Sequence, residues 1–135
     1  MRTLKSQQFA IEQSTDRVLE FLSEPKNYGL LLPKEQTSDF QYTTTTFSFK
    51  AAGQVHLALE KQTSLNHMLH FRGLPSNPFA FDLFVYLEQT EKQTTGYIEI
   101  QAELNMMLQV LIEKPLQKLL GEMAENLRQH LAQNR

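Results

Sequence analysis

The stretch MMLQVLIEKPLQKLLGEMAENLRQHL (residues 106–131) decides the fold. Apolar Met107, Leu108, Leu111, Ile112, Leu116, Leu119, Leu120, Met123, Leu127 and Leu131 recur at helical spacing. Gln109, Glu113, Lys114, Gln117, Lys118, Glu122, Glu125 and Arg128 take the other side. The pattern predicts one long amphipathic helix, on the order of 35 Å if unbroken. Pro115 has no N–H and is expected to kink it after about two turns. Gly121 is a second weak point.

Upstream the period is two rather than 3.6. Phe79, Phe81, Leu83, Val85 and Leu87 alternate with Ala80, Asp82, Phe84, Tyr86 and Glu88. Ile98, Ile100, Ala102 and Leu104 alternate with Tyr97, Glu99, Gln101 and Glu103. Phe47 and Phe49, then Val55, Leu57 and Leu59, then Leu69 and Phe71 repeat the pattern. Turns are expected at Ala51-Ala52-Gly53, Ser64-Leu65-Asn66, the loop Gly73–Pro78 and Glu91–Thr95. Such short spacing implies antiparallel strands joined by hairpins.

The chain opens on an alternating stretch over residues 3–12, read as one strand with Gln7, Phe9 and Ile11 on one side. Ser14 is placed to cap a short helix, and Asp16 suits its positive end. Val18, Phe21 and Leu22 give that helix an apolar face until Ser23-Glu24-Pro25 stops it. A second short helical piece, Lys26 to Leu32, ends at Pro33.

Composition narrows the function classes. The 135 residues suit a single domain, 1–135, with an apolar share of 41%. A formal charge of -2 argues against an electrostatic nucleic-acid binder. Cys is absent, which removes disulfides, thiolate metal sites and Cys nucleophiles. Nothing in the sequence approaches the roughly 18 apolar residues of a membrane span, so no stable membrane insertion is expected. The residues after Met1 lack a signal-like apolar run, and the expected compartment is the cytoplasm.

A meander with one apolar face must cover that face, and only the C-terminal helix is long enough. The expected fold class is therefore α+β. A curved antiparallel β-sheet of six to seven strands wraps around a long C-terminal α-helix, with two short helices after strand 1. A curled sheet and a lone helix do not touch everywhere, and the gap between them would be lined by Phe, Leu, Ile, Val and Met.

Four stretches carry a resemblance to the START-like (helix-grip, SRPBCC) superfamily. They are the strand ending at Ile11, the segment Ser14–Ser23, Pro78-Phe79-Ala80-Phe81-Asp82-Leu83 with Val85-Tyr86-Leu87, and Lys114-Pro115-Leu116-Gln117. Together they resemble its short, stand-alone bacterial branch of polyketide cyclase/dehydrase-like proteins. Order and spacing speak for fold; the superfold hosts many unrelated activities.

The function expected is binding, or transport, of a small hydrophobic or lipid-like ligand between sheet and helix. Expected wall residues are Phe47, Phe49, Leu57, Phe71, Phe81, Leu83, Ile100, Leu108, Leu111 and Ile112. The mouth is expected near the Gly73–Pro78 loop and the Tyr28–Pro33 segment. Tyr28, Tyr42 and Asn105 are the candidate polar contacts to a ligand head group. Tyr28 can equally cover the core edge, and Asn105 can equally cap the last helix.

Catalytic and metal sites find little support, and no cofactor is expected. His67 and His70, three apart on a strand, point to opposite faces. His56, His70, Glu60, Glu88, Glu99 and Glu103 fall on outward, solvated faces. A polyketide cyclase or dehydratase is the alternative, and it requires acid–base groups facing inward. A further alternative is a protein-interaction module with a filled core, its contact patch or homodimer surface formed by outward Phe84, Tyr86 and Tyr97.

Overall fold

The computed structural model describes residues 1–51, 55–63 and 68–133. The turns expected at Ala52-Gly53 and Ser64-Leu65-Asn66, and His67, lie outside the described residues. The elements in chain order are β1 (Arg2–Lys5), β2 (Phe9–Ile11), α1 (Thr15–Leu22), α2 (Tyr28–Leu31), β3 (Thr37–Tyr42), β4 (Thr46–Ala51), β5 (Val55–Lys61), β6 (Met68–Gly73), β7 (Phe81–Gln89), β8 (Thr94–Ala102) and α3 (Met106–Gln133). The strands form one antiparallel sheet in the order β1-β8-β7-β6-β5-β4-β3, with β2 also on β8.

The single first strand expected over residues 3–12 is in fact two, and Ser6 is the cause. Its N–H donates to the Ile98 carbonyl at 2.8 Å, and its hydroxyl oxygen accepts from the Ile98 N–H at 2.9 Å. A side chain thus takes over one rung of the ladder, and the strand steps out until Phe9 re-enters opposite Gly96. A Cβ on Gly96 would stand 2.2 Å from the Tyr86 carbonyl oxygen and 3.0 Å from the Phe9 ring, so only glycine fits there. Gln7 is exposed, and its amide donates to the Gly121 carbonyl of α3 at 3.0 Å.

Ser14 caps α1 as expected, accepting from the Arg17 N–H at 3.3 Å, with Val18 and Leu22 buried beneath. The alternation over 81–89 becomes the longest pairing in the sheet, nine residues of β7 against nine of β8. By contrast, among the described residues β5 and β6 pair from Leu59↔Gly73 to Lys61↔Phe71, with the Gln62 N–H donating to the His70 carbonyl at 2.9 Å just past the last pair. Beyond Leu59 the two strands part, and the sheet curls open.

α3 runs through Pro115 as one helix. Its later turns are tied to the sheet and to α2 by polar side chains that reach main-chain groups. Gln13 donates to the Leu131 carbonyl at 2.6 Å and Asn126 to the Leu31 carbonyl at 2.8 Å. Gln117 donates to the Lys5 carbonyl, and Arg2 pairs with Glu113. Leu116, Leu119, Leu120, Met123, Leu127 and Leu131 are buried under these ties.

The first turns depart from the expected pattern. Met107 and Leu111, read as part of the buried stripe, are exposed, while Leu108 is half-buried and Ile112 buried. The apolar face at residues 106–111 is wider than the sheet can cover, so only its inner edge reaches the core.

Candidate ligand-binding site

Between sheet and α3 lies a hollow of about 20 Å³. Its walls are Phe47 and Phe49 of β4, Leu57 and Leu59 of β5, Phe81 and Leu83 of β7, Ile100 of β8, and Leu116, Leu119 and Met123 of α3. Every one is apolar. A hollow of this size barely exceeds the roughly 10–15 Å³ that one water needs, and an apolar one stays dry. Pockets that hold drug-sized ligands run to about 300–1,000 Å³. The interior is therefore nearly filled by the protein's own rings and methyls.

The structure brings six of the ten expected wall residues to this hollow: Phe47, Phe49, Leu57, Phe81, Leu83 and Ile100. Phe71 is fully buried but beside it, at 5.2 Å edge-on to Phe47. Ile112 is buried and Leu108 half-buried nearer the start of α3, and Leu111 is 61% exposed. Leu59, Leu116, Leu119 and Met123 complete the lining. The signal for them was present: Leu59 shares the face of Leu57, and residues 116, 119 and 123 follow helical spacing.

None of the three candidate polar contacts lines the hollow. Tyr28 is fully buried, stacked on Phe47 at 4.5 Å and edge-on to Phe71 at 5.0 Å. Its hydroxyl donates to the Leu22 carbonyl at 2.9 Å, and burial drives its pKa far above the ordinary phenol range. Tyr28 thus plugs the side where a mouth was expected. Tyr42 is 57% exposed. Asn105 caps α3, its side-chain oxygen accepting from the Leu108 N–H at 2.9 Å.

The buried polar groups Ser6, Gln13, Thr15 and Thr94 are used in structural hydrogen bonds. Thr15 donates to Gln89 at 2.8 Å and Thr94 to the Gln13 carbonyl at 2.8 Å. Among the described residues no group of His, Asp and Glu is arranged to hold a metal. His56 is exposed, and His70 lies 2.8 Å from Asp82 while stacking on Phe84 at 4.5 Å.

Glu99 corrects an expectation: it is on the outer face but only 5% exposed. Gln101 donates to it at 2.6 Å, Lys5 stands 3.9 Å away, and Tyr86 and Tyr97 pack beside it, their rings 5.0 Å apart. The Tyr86 phenol is held above its usual range, first by desolvation and then by the Glu99 charge. A wider cleft of about 540 Å³ between α1 and the end of α3 is lined largely by charged and polar groups, among them Arg17, Glu20, Glu24, Lys26 and His130.

A twisted antiparallel sheet gripping a long C-terminal helix, with two short helices after the first strands, is a specific arrangement. This is the START-like helix-grip fold. No family model and no curated protein matches the sequence. Solved structures do match over essentially the whole chain. KanY, known from a solution NMR structure, is 13% identical with a TM-score of 0.78, covering 97% of this chain and 99% of its own. A START superfamily protein from Mycobacterium smegmatis is 9% identical with a TM-score of 0.69, covering 98% and 99%. The di-domain ARO/CYC protein BexL of the BE-7585A biosynthetic pathway is 11% identical with a TM-score of 0.73. All of this chain aligns to 48% of BexL, about half of its length. At these identities the likeness speaks for the fold alone. Among the described residues no helix is long and apolar enough to cross a membrane.

Proposed function

We propose that the protein binds a small apolar or lipid-like molecule between the sheet and α3, by widening the hollow found there. The observation that carries the reading is the hollow itself: ten apolar walls supplied by four strands and the long helix, with no polar group among them. A guest entering it would be held by area, at about 25 cal/mol per Å² of apolar surface removed from water. The START name of the mycobacterial neighbour supports this direction.

Two structural features offer the room. Among the described residues the β5–β6 seam is short, and the side-chain hydrogen bonds of α3 before Glu113 are local: the Asn105 cap and the Gln109 amide on the Leu104 carbonyl at 3.1 Å. Pro115 leaves the Leu111 carbonyl without its helical N–H partner, which weakens the joint between that segment and the rest of α3.

The ARO/CYC name of BexL raises the cyclase alternative. Acid–base chemistry on a polyketone needs proton donors and acceptors at the substrate, and the walls of the hollow supply none. Binding without chemistry is the reading the lining favours.

A second reading, a partner-binding module with a filled core, is favoured by the small volume of the hollow. Native mass spectrometry of the purified protein separates the two. Binding predicts a co-purified apolar compound, or a thermal shift with members of a lipid and aromatic panel. An empty protein that no panel member stabilises overturns the binding reading.

A further inference from the structure

The first two turns of α3 carry four large apolar side chains into solvent: Met106 is 83% exposed, Met107 71%, Val110 82% and Leu111 61%. They are consecutive on one outward face, and such a patch has a cost in water that isolated surface residues do not. On the next turns the same face continues with exposed Lys114 and Lys118. At 3.6 residues per turn no carboxylate falls on that face between residues 106 and 118. Glu113 lies at its flank, and Arg2 neutralises it.

We propose that this end of α3 docks the protein on an anionic lipid surface. The apolar turns enter the boundary between headgroups and acyl chains, and the two lysines remain at the depth of the phosphates. Interfacial helices combine apolar burial and cationic attraction in this way. Each lysine near an anionic surface adds electrostatic attraction that falls off within a Debye length. The shape agrees: the four side chains protrude from a convex helix rather than lining a groove, so a soft surface suits them better than a rigid partner. A second copy of the chain suits them less. A stable dimer buries about 800 Å² and 20–30 residues per partner, and two helical turns fall far short. The inference stands apart from the hollow, because a solid interior would leave this surface unchanged.

The test is co-sedimentation of the full chain with vesicles of phosphatidylcholine alone and of phosphatidylcholine with phosphatidylglycerol. Wild type is expected to sediment with the anionic vesicles, and at least tenfold less with the neutral ones. The double variant Val110→Gln, Leu111→Gln is expected to lose binding tenfold or more with an unchanged melting temperature, since both side chains are already in water. Lys114→Glu with Lys118→Glu is expected to do the same, and added salt to weaken the wild type. Three results overturn the proposal. Wild type does not sediment with anionic vesicles, or the glutamine variant sediments as well as wild type. Equally decisive is a homodimer that the glutamine variant abolishes in a protein that ignores vesicles.

Discussion

The side chain of Asn77 serves Ala58 as a strand would: its amide nitrogen donates to the Ala58 carbonyl at 2.9 Å, and its oxygen accepts from the Ala58 N–H at 2.8 Å. This pair sits where β5 and β6 part, one residue beyond their last rung at Leu59↔Gly73. The Leu74 N–H also reaches the Ala58 carbonyl, at 2.9 Å. The loop therefore seals the seam that the curl of the sheet opens, and Ala58 of β5 keeps its main-chain bonds on the edge that β6 has left, while β4 pairs the other edge.

Asn77→Ala leaves the Ala58 N–H without that acceptor. Ala58 is buried, so water does not readily replace it. The expected cost is about 1–3 kcal/mol, read as a lower urea midpoint with an unchanged slope. Asn77→Asp keeps an acceptor for the N–H but cannot donate to the carbonyl, and should fall between wild type and alanine. A wild-type midpoint in Asn77→Ala would show that the seam does not depend on this side chain.

Tyr28 gives the fold a dependence on alkaline pH. The ordinary phenol value is 10.0, and burial raises it in the folded state. The folded protein then keeps the proton where the unfolded chain would release it. Its contribution is complete below pH 10.0 and is lost as the pH climbs above that value. Tyr28→Phe should cost about 1 kcal/mol at neutral pH through the lost bond to Leu22, and should flatten the fall in stability between roughly pH 10 and pH 12. Denaturant midpoints across that range check it; parallel curves for the two proteins would refute the assignment.

What the sequence made legible follows from how local each signal is. Alternation at Phe81, Leu83, Val85 and Leu87 fixes which face of β7 is buried, because a one-residue slip would expose all four. The Ser14 cap reads directly from residue type and position. The step at Ser6 does not, since it depends on a hydroxyl reaching Ile98 from 92 residues away. The exposure of Met107 and Leu111 was equally hidden, because helical spacing gives a face but not the width of what covers it. The size of the hollow is the least local quantity of all. It is set by how ten side chains from five elements interlock, and no pattern along the chain encodes that.

Pro115 should be replaceable with gain. Pro115→Ala restores an N–H to the Leu111 carbonyl, and a proline inside a helix costs about 3 kcal/mol where nothing compensates. The expected outcome is a higher melting temperature, with slower amide exchange across residues 106–114. If ligand entry requires this segment to swing, the same variant should take up apolar compounds more slowly. Unchanged exchange over those residues would count against a weak joint at Pro115.

Leu116→Ala tests the hollow directly. Leu116 is 3% exposed and forms part of its wall, so the truncation is expected to cost about 2–5 kcal/mol. The space released adds to about 20 Å³ already present. A dry apolar cavity of greater size accepts a small aromatic guest, so benzene should raise the melting temperature of Leu116→Ala more than that of wild type. Leu127→Ala is the control, because Leu127 is fully buried on the same helix but does not line the hollow. Similar destabilisation in both variants, with rescue by benzene in Leu116→Ala alone, would place the adaptable space between β4, β5, β7, β8 and α3. Equal rescue in both would mean that the region around the hollow has no special capacity for a guest, and the binding reading would lose its structural basis.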